Sequence, residues 1–136
     1  MPKIIRQPAV AGQFYPEDRE ELKAMIVGYL KEAKIPFTPP LARGGASPIY
    51  QGGIKEAKAL IVPHAGYVFS GPVAAHAYKA IQDRKTETVV IICNSHTAYF
   101  DGIAVDDSDF WRTPLGEVEV DKELARKLMK LDRDMK

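Results

Sequence analysis

Two short apolar runs, each closed by a histidine and separated by one helical segment, constrain this chain more than any other feature. The first is "ALIVPHAG", residues 59–66, and the second "VVIICNSH", residues 89–96. Residues 58–63 and 88–93 are nearly continuous in apolar side chains and rich in Val and Ile, which predicts strands buried on both faces, as in parallel sheets. The segment between them predicts a helix. Ser70 is placed as its N-cap, Gly71 and Pro72 suit its first turn, and Val73, Ala74, Ala77, Tyr78 and Ile81 form its apolar stripe. Strand, helix and strand make a parallel βαβ unit. Its crossover is expected to be right-handed, because the twist of the strand and the hand of the helix permit the return path almost only that way.

The flanking sequence adds further elements. "YPEDREELKAMIVGYLKEAK" opens on Pro16, Glu17 and Asp18, places Leu22, Met25, Ile26, Tyr29 and Leu30 at helical spacing, and closes on Lys31 and Lys34, charges that suit a helix dipole. Residues 35–53 hold four prolines and four glycines and predict a long loop. "GIAVDDSDFWRTPLGEVEVD" reads as strand, turn and extended segment with "TPLG" as the turn, and Asp121 caps a last helix through about Leu131. The fold class expected is α/β, an open and mostly parallel sheet with helices on both faces in three layers, in one domain spanning residues 1–136.

Composition excludes several roles. Nineteen basic and 18 acidic residues leave a formal net charge of +1, with no basic stripe to suit nucleic acid or an anionic membrane. No apolar run reaches the roughly 18–20 residues of a membrane span. Cys93 is the only cysteine, so no internal disulfide can form, and "MPKIIRQPAV" lacks the apolar core of a signal peptide. The expected location is therefore the cytoplasm.

In an open parallel sheet, ligands bind at the carboxyl ends of the strands. His64 follows the first run and His96 the second, so both imidazoles are expected on that edge, in loops brought together by adjacent strands about 4.8 Å apart. Gly66 and Gly71 permit close approach of backbone to ligand, and Ser95 and Thr97 bring hydroxyls. Taken singly, either histidine reads as a strand-end residue satisfied by backbone; the matched pair is what points to a site. Cys93 reads as a small buried hydrophobe and His76 as a residue outside the apolar stripe of its helix.

Four ordered blocks, "RQPAVAGQFYP", "VPHAGYVFSGPVAAHAY", "SHTAYFDGIAV" and "TPLGEVEVD", resemble the N-terminal half of the Memo family, whose fold is similar to class III extradiol dioxygenases. The resemblance runs from about Arg6 to Asp121. It implies that His64 and His96 are metal ligands, with iron or copper, or else zinc, as the metal and a redox or dioxygenase-like activity. Two departures stand out. Cys93 and Asn94 replace the Gly-Pro that usually precedes Ser-His in the family, and members run to about twice this length. The blocks that complete the metal site, acidic residues, a histidine and a cysteine, lie in the half with no counterpart here. The chain is accordingly expected to be truncated or split relative to the family, or a fragment of a larger chain, and to hold only part of its fold.

Two functions follow, beside a third reading in which the half-chain is a nonfunctional remnant. In one, His64 and His96 are neutral imidazole ligands of a mononuclear metal oxidoreductase site, with Asp101 or Cys93 as the nearest further donors. In the other, the same crevice binds a peptide or small molecule without redox chemistry, lined by Tyr67, Phe69, Tyr99 and Trp111. An uncovered sheet edge and apolar face further predict self-association or pairing with a complementary C-terminal half.

Overall fold

A computed structural model describes residues 2–34, 57–131 and 135. They fall into two compact units, residues 10–85 and residues 1–9 with 86–136. The expected loop at 35–53 lies outside the described residues. Among those described, three helices and a three-stranded mixed sheet make the chain α/β, as the sequence implies.

The described part of the unit spanning residues 10–85 is helical. It opens with a turn in which Gly12, at a φ of 76°, donates to the Tyr15 carbonyl at 2.8 Å and Phe14 donates to that of Val10 at 2.9 Å. Helix α1 (Arg19–Glu32) begins three residues beyond Pro16, where the sequence opens it: Asp18 is its N-cap, the carboxylate accepting from the Glu21 N–H at 2.8 Å, and Glu20 and Glu21 lie in the electropositive first turn. Helix α2 (Tyr67–Lys79) starts earlier than expected, with Gly66 rather than Ser70 at its N-cap. The start is fixed by backbone bonds, since the Tyr67 N–H donates to the Phe14 carbonyl at 2.7 Å and the Ser70 N–H to that of Gly66 at 3.0 Å. Ser70 is instead a buried helix residue whose hydroxyl donates back to the Ala65 carbonyl at 2.8 Å.

The two helices pack through small residues. Leu22 of α1, Ala33 just past its end, and Ser70 and Ala75 of α2 are the buried positions, and Gly71 lies under the Tyr29 ring. Val73 and Tyr78, expected on the apolar stripe, are exposed, because the contact face runs through Gly71 and Ala75 instead. Nδ1 of His76 lies 3.1 Å from the Lys34 N–H and 2.8 Å from the Lys34 carbonyl. Unprotonated it accepts from the first, and carrying its proton it donates to the second.

In the other unit, β1 (Ile5–Arg6) pairs parallel to β2 (Phe110–Thr113), with Ile5 opposite Phe110, and β2 pairs antiparallel to β3 (Gly116–Glu119). The "TPLG" turn forms as expected. Thr113 faces Gly116 across a two-residue loop, its hydroxyl donates to the Gly116 carbonyl at 3.0 Å, and Gly116 takes a φ of 139°. Arg112 and Glu117, paired across the hairpin, join through both Nη2 at 2.6 Å and Nε at 2.9 Å. Helix α3 (Lys122–Leu131) is capped by Asp121, whose carboxylate accepts from the Leu124 N–H at 2.9 Å.

Residues 58–63 and 88–93 differ from expectation. Neither run enters a ladder among the described residues; Ile61 is fully exposed and Val89, Val90, Ile91 and Ile92 are all exposed. The physical reason is supply. A strand apolar at every position needs hydrogen-bonded neighbours on its edges and apolar cover on both faces. Among the described residues the first unit offers only helices, and the sheet of the second consists of β1, β2 and β3.

Candidate metal centre

His64 stands between Pro63 and the Gly66 N-cap of α2, in the unit of residues 10–85, and is exposed. What positions it is the turn beneath. Gly66 approaches the backbone of Phe14 so closely that an added Cβ would lie 3.5 Å from its carbonyl oxygen, and Tyr67 is bonded to that same carbonyl. Thus the "FYP" and "PHAGY" blocks, far apart in sequence, are one local structure. The Tyr67 ring lies 5.4 Å from that of Tyr15. Burial, with the Tyr15 and Tyr78 phenols nearby, pushes the Tyr67 hydroxyl above the ordinary tyrosine range, so it stays a neutral donor at physiological pH.

His96 belongs to the other unit and lies on an irregular segment that also carries Cys93, Ser95, Thr97 and Asp101, all of them exposed. A local bond shapes its turn: the Ser95 hydroxyl oxygen accepts from the Ala98 N–H at 3.1 Å. Ser95 thereby acts as backbone scaffolding for the histidine loop. Cys93 is exposed here, in contrast to its expected burial, because the apolar run before it is itself uncovered.

As ligand types, two imidazoles suit iron, copper or zinc. The donor set does not close within the described residues, however. Among the described residues no group of three or more His, Cys, Asp and Glu is placed to hold a metal ion, whereas protein sites for these metals draw on three or four ligands. Neither Asp101 nor Cys93 is brought into such a group.

Two features escaped the sequence reading. Asp106 gathers the Arg6 guanidinium and both the hydroxyl and the N–H of Ser108, while the Arg6 guanidinium lies 4.7 Å over the Trp111 ring. Desolvation would raise the Asp106 carboxyl, but the bonds from Ser108 and Arg6, with the nearby Trp111 indole, outweigh it and bring it to about 2. The buried Trp111 Nε1–H makes no well-formed hydrogen bond among the described residues. One hundred residues separate Arg6 from Asp106, so no local pattern announces the pair. The second feature is a groove of about 550 Å³ along β2, β3 and the start of α3, lined by Lys3 and Lys122 among Glu87, Glu119 and Glu123. It contains none of the expected site residues.

Residues 6–136 match the model of the family described as Memo-like protein. A MEMO1 family protein of Methanopyrus kandleri is 45% identical over 126 residues, which are 92% of this chain and 42% of that protein. One from Methanothermobacter thermautotrophicus is 41% identical over 128 residues, covering 93% and 43%, and one from Aeropyrum pernix 45% identical over 123 residues, covering 90% and 41%. The chain spans about two fifths of the length of these relatives.

Proposed function

This chain belongs to the Memo family, and on that premise we propose that it contributes His64 and His96 to a mononuclear metal site whose remaining donors come from outside residues 1–136. The observation that carries this reading is the exposure of both imidazoles on loops that follow the two apolar runs. Imidazole is a ligand for transition metals, while two imidazoles leave most of the coordination sphere to water and do not order its geometry. Iron or copper, or else zinc, is the metal such a site takes. Once completed, the site belongs to the metal-dependent oxidoreductases that resemble extradiol dioxygenases. Bound metal would supply the redox chemistry; Tyr67 in one unit and Ser95 in the other each shape the loop that carries the histidine of that unit.

A binding role without redox chemistry uses the same surface. It is favoured by the Tyr99 ring, 97% exposed three residues beyond His96, and by Phe69, exposed five beyond His64. Metal content distinguishes the two readings. Purified protein loaded with iron under anaerobic conditions and then desalted is expected to retain little metal alone and none in a His64→Ala/His96→Ala double variant. Equal retention by the double variant would favour the binding role. No helix among the described residues is long and apolar enough to cross a membrane.

A further inference from the structure

Strand β1 is fastened to β2 by charge more than by burial. Of residues 3–7 only Ile5 is partly buried, so the strand gains little from the apolar contact that commonly holds a sheet edge. Its ladder is two residues long, against four in the β2–β3 hairpin. Two carboxylates make up the difference, one at each end of the strand. Asp109 and Ile4 are bonded reciprocally: the Ile4 N–H donates to Oδ2 of Asp109 at 2.6 Å, and the Asp109 N–H donates to the Ile4 carbonyl at 2.8 Å. At the other end Asp106 takes the Arg6 guanidinium. Two cations of the same segment lie on rings of β2, Lys3 at 4.6 Å over Phe110 and Arg6 at 4.7 Å over Trp111. All of these residues belong to one unit.

We infer that β1 is a charge-latched strap: residues 3–6 lift from β2 as one piece when Asp106 and Asp109 lose their charge, while the β2–β3 hairpin stays paired. Lifting it bares the β2 edge opposite Ile5 and Arg6, uncovers the Phe110 and Trp111 rings, and takes Lys3 out of the groove wall. The hairpin has its own fastenings, the four-residue ladder, the Arg112–Glu117 pair and the Val120 N–H, which donates to the Asp109 carbonyl at 3.0 Å. Acid is the stimulus. Desolvation alone would raise the Asp106 carboxyl, but its bonds from Ser108 and Arg6 bring it to about 2, and bonds from Lys122 and the Ile4 N–H lower that of Asp109. A lifted strap returns Asp106 to its ordinary 3.8, so lifting takes up protons: the latch holds above that value and weakens as pH falls below it. The other charged groups facing it are Lys122, 2.8 Å from Oδ1 of Asp109, and Glu87, Glu119, Asp121 and Glu123 of the groove, which share the sign of Asp109 and ease its protonation.

Trp111 is the chain's one tryptophan and therefore reports on the strap. As the full chain is acidified below about pH 4, acrylamide quenching of Trp111 should rise at least about twofold while the far-ultraviolet helix signal holds. Amide exchange at about pH 6 separates the latch from general acid unfolding. In Asp106→Asn/Asp109→Asn the Phe110 N–H, which donates to the Ile4 carbonyl and is not itself altered, should lose at least about tenfold in protection, while the Val120 N–H keeps its own. Asp106→Asn alone leaves the bonds at Ile4 in place, and should still cost Phe110 at least about threefold, because the strap moves as one piece. Unchanged protection of Phe110 in the double variant would show that the carboxylates are not the latch. Loss of protection at Val120 together with Phe110, or Trp111 exposure that coincides with loss of helix signal, would show that β1 does not lift separately from the rest of its unit. Each of these results overturns the inference.

Discussion

Gly71 of α2 passes under Tyr29 of α1 so closely that a methyl group on it would lie 2.7 Å from ring atom Cδ2 and nearer still to Cε2. A mid-helix glycine normally costs about 1 kcal/mol relative to alanine. Here the conformational gain from Gly71→Ala is opposed by a clash with two ring atoms at the principal contact of the helix pair, where overpacking costs about 1–3 kcal/mol. The expected net effect is a loss of about 1 kcal/mol, read as a lower urea midpoint with unchanged slope. Tyr29→Leu in the same chain should recover much of it, showing coupling in a double-mutant cycle.

Asp106 gives the stability a defined acid dependence. Its folded-state carboxyl, at about 2, lies below the ordinary 3.8, so the unfolded chain takes up the proton first as pH falls. The stabilisation is complete above about pH 4 and is lost as pH falls toward 2. Arg6 is more than half exposed, so screening reduces the contribution to about 1 kcal/mol. Urea titrations at pH 6 and pH 3 should differ less in Asp106→Asn than in the unaltered chain; an equal difference in both would place the acid sensitivity elsewhere.

The hairpin turn depends on Gly116. Its φ of 139° is in the region that side-chain-bearing residues avoid, and no atom lies within 4 Å of an added Cβ, so Gly116→Ala meets only backbone strain. A loss of about 1–2 kcal/mol is expected. Gly28 of α1 is also without near neighbours but has no such φ, and Gly28→Ala should be neutral or stabilising.

These elements also mark what the sequence made legible. Local chemistry was readable: Asp121 caps the helix it was expected to cap, the acidic opening of the first helix lies at its N-terminus, and Thr113 to Gly116 turns the hairpin. What depended on distant residues was not. The start of α2 is set by a bond from Tyr67 to Phe14, more than 50 residues earlier, and β1 exists only through its pairing with Phe110 and Trp111. The apolar runs at 58–63 and 88–93 carry a strand's composition, but a ladder is a property of two strands, and their neighbours are absent from the described residues. His64 and His96 were legible as family positions, while the strands they were expected to end do not form among the described residues; their common metal is a proposal that only binding can test.

Metal titration by calorimetry is that test. Zinc, as a redox-inert probe, should bind the chain alone weakly, with an affinity that rises at least about tenfold when the unmatched portion of the Methanopyrus relative is present. Either His64→Ala or His96→Ala should remove the gain. Tight stoichiometric binding by the chain alone would contradict an incomplete site and point to Cys93 or Asp101 as a further ligand. Binding unchanged in both alanine variants would contradict the histidine site itself.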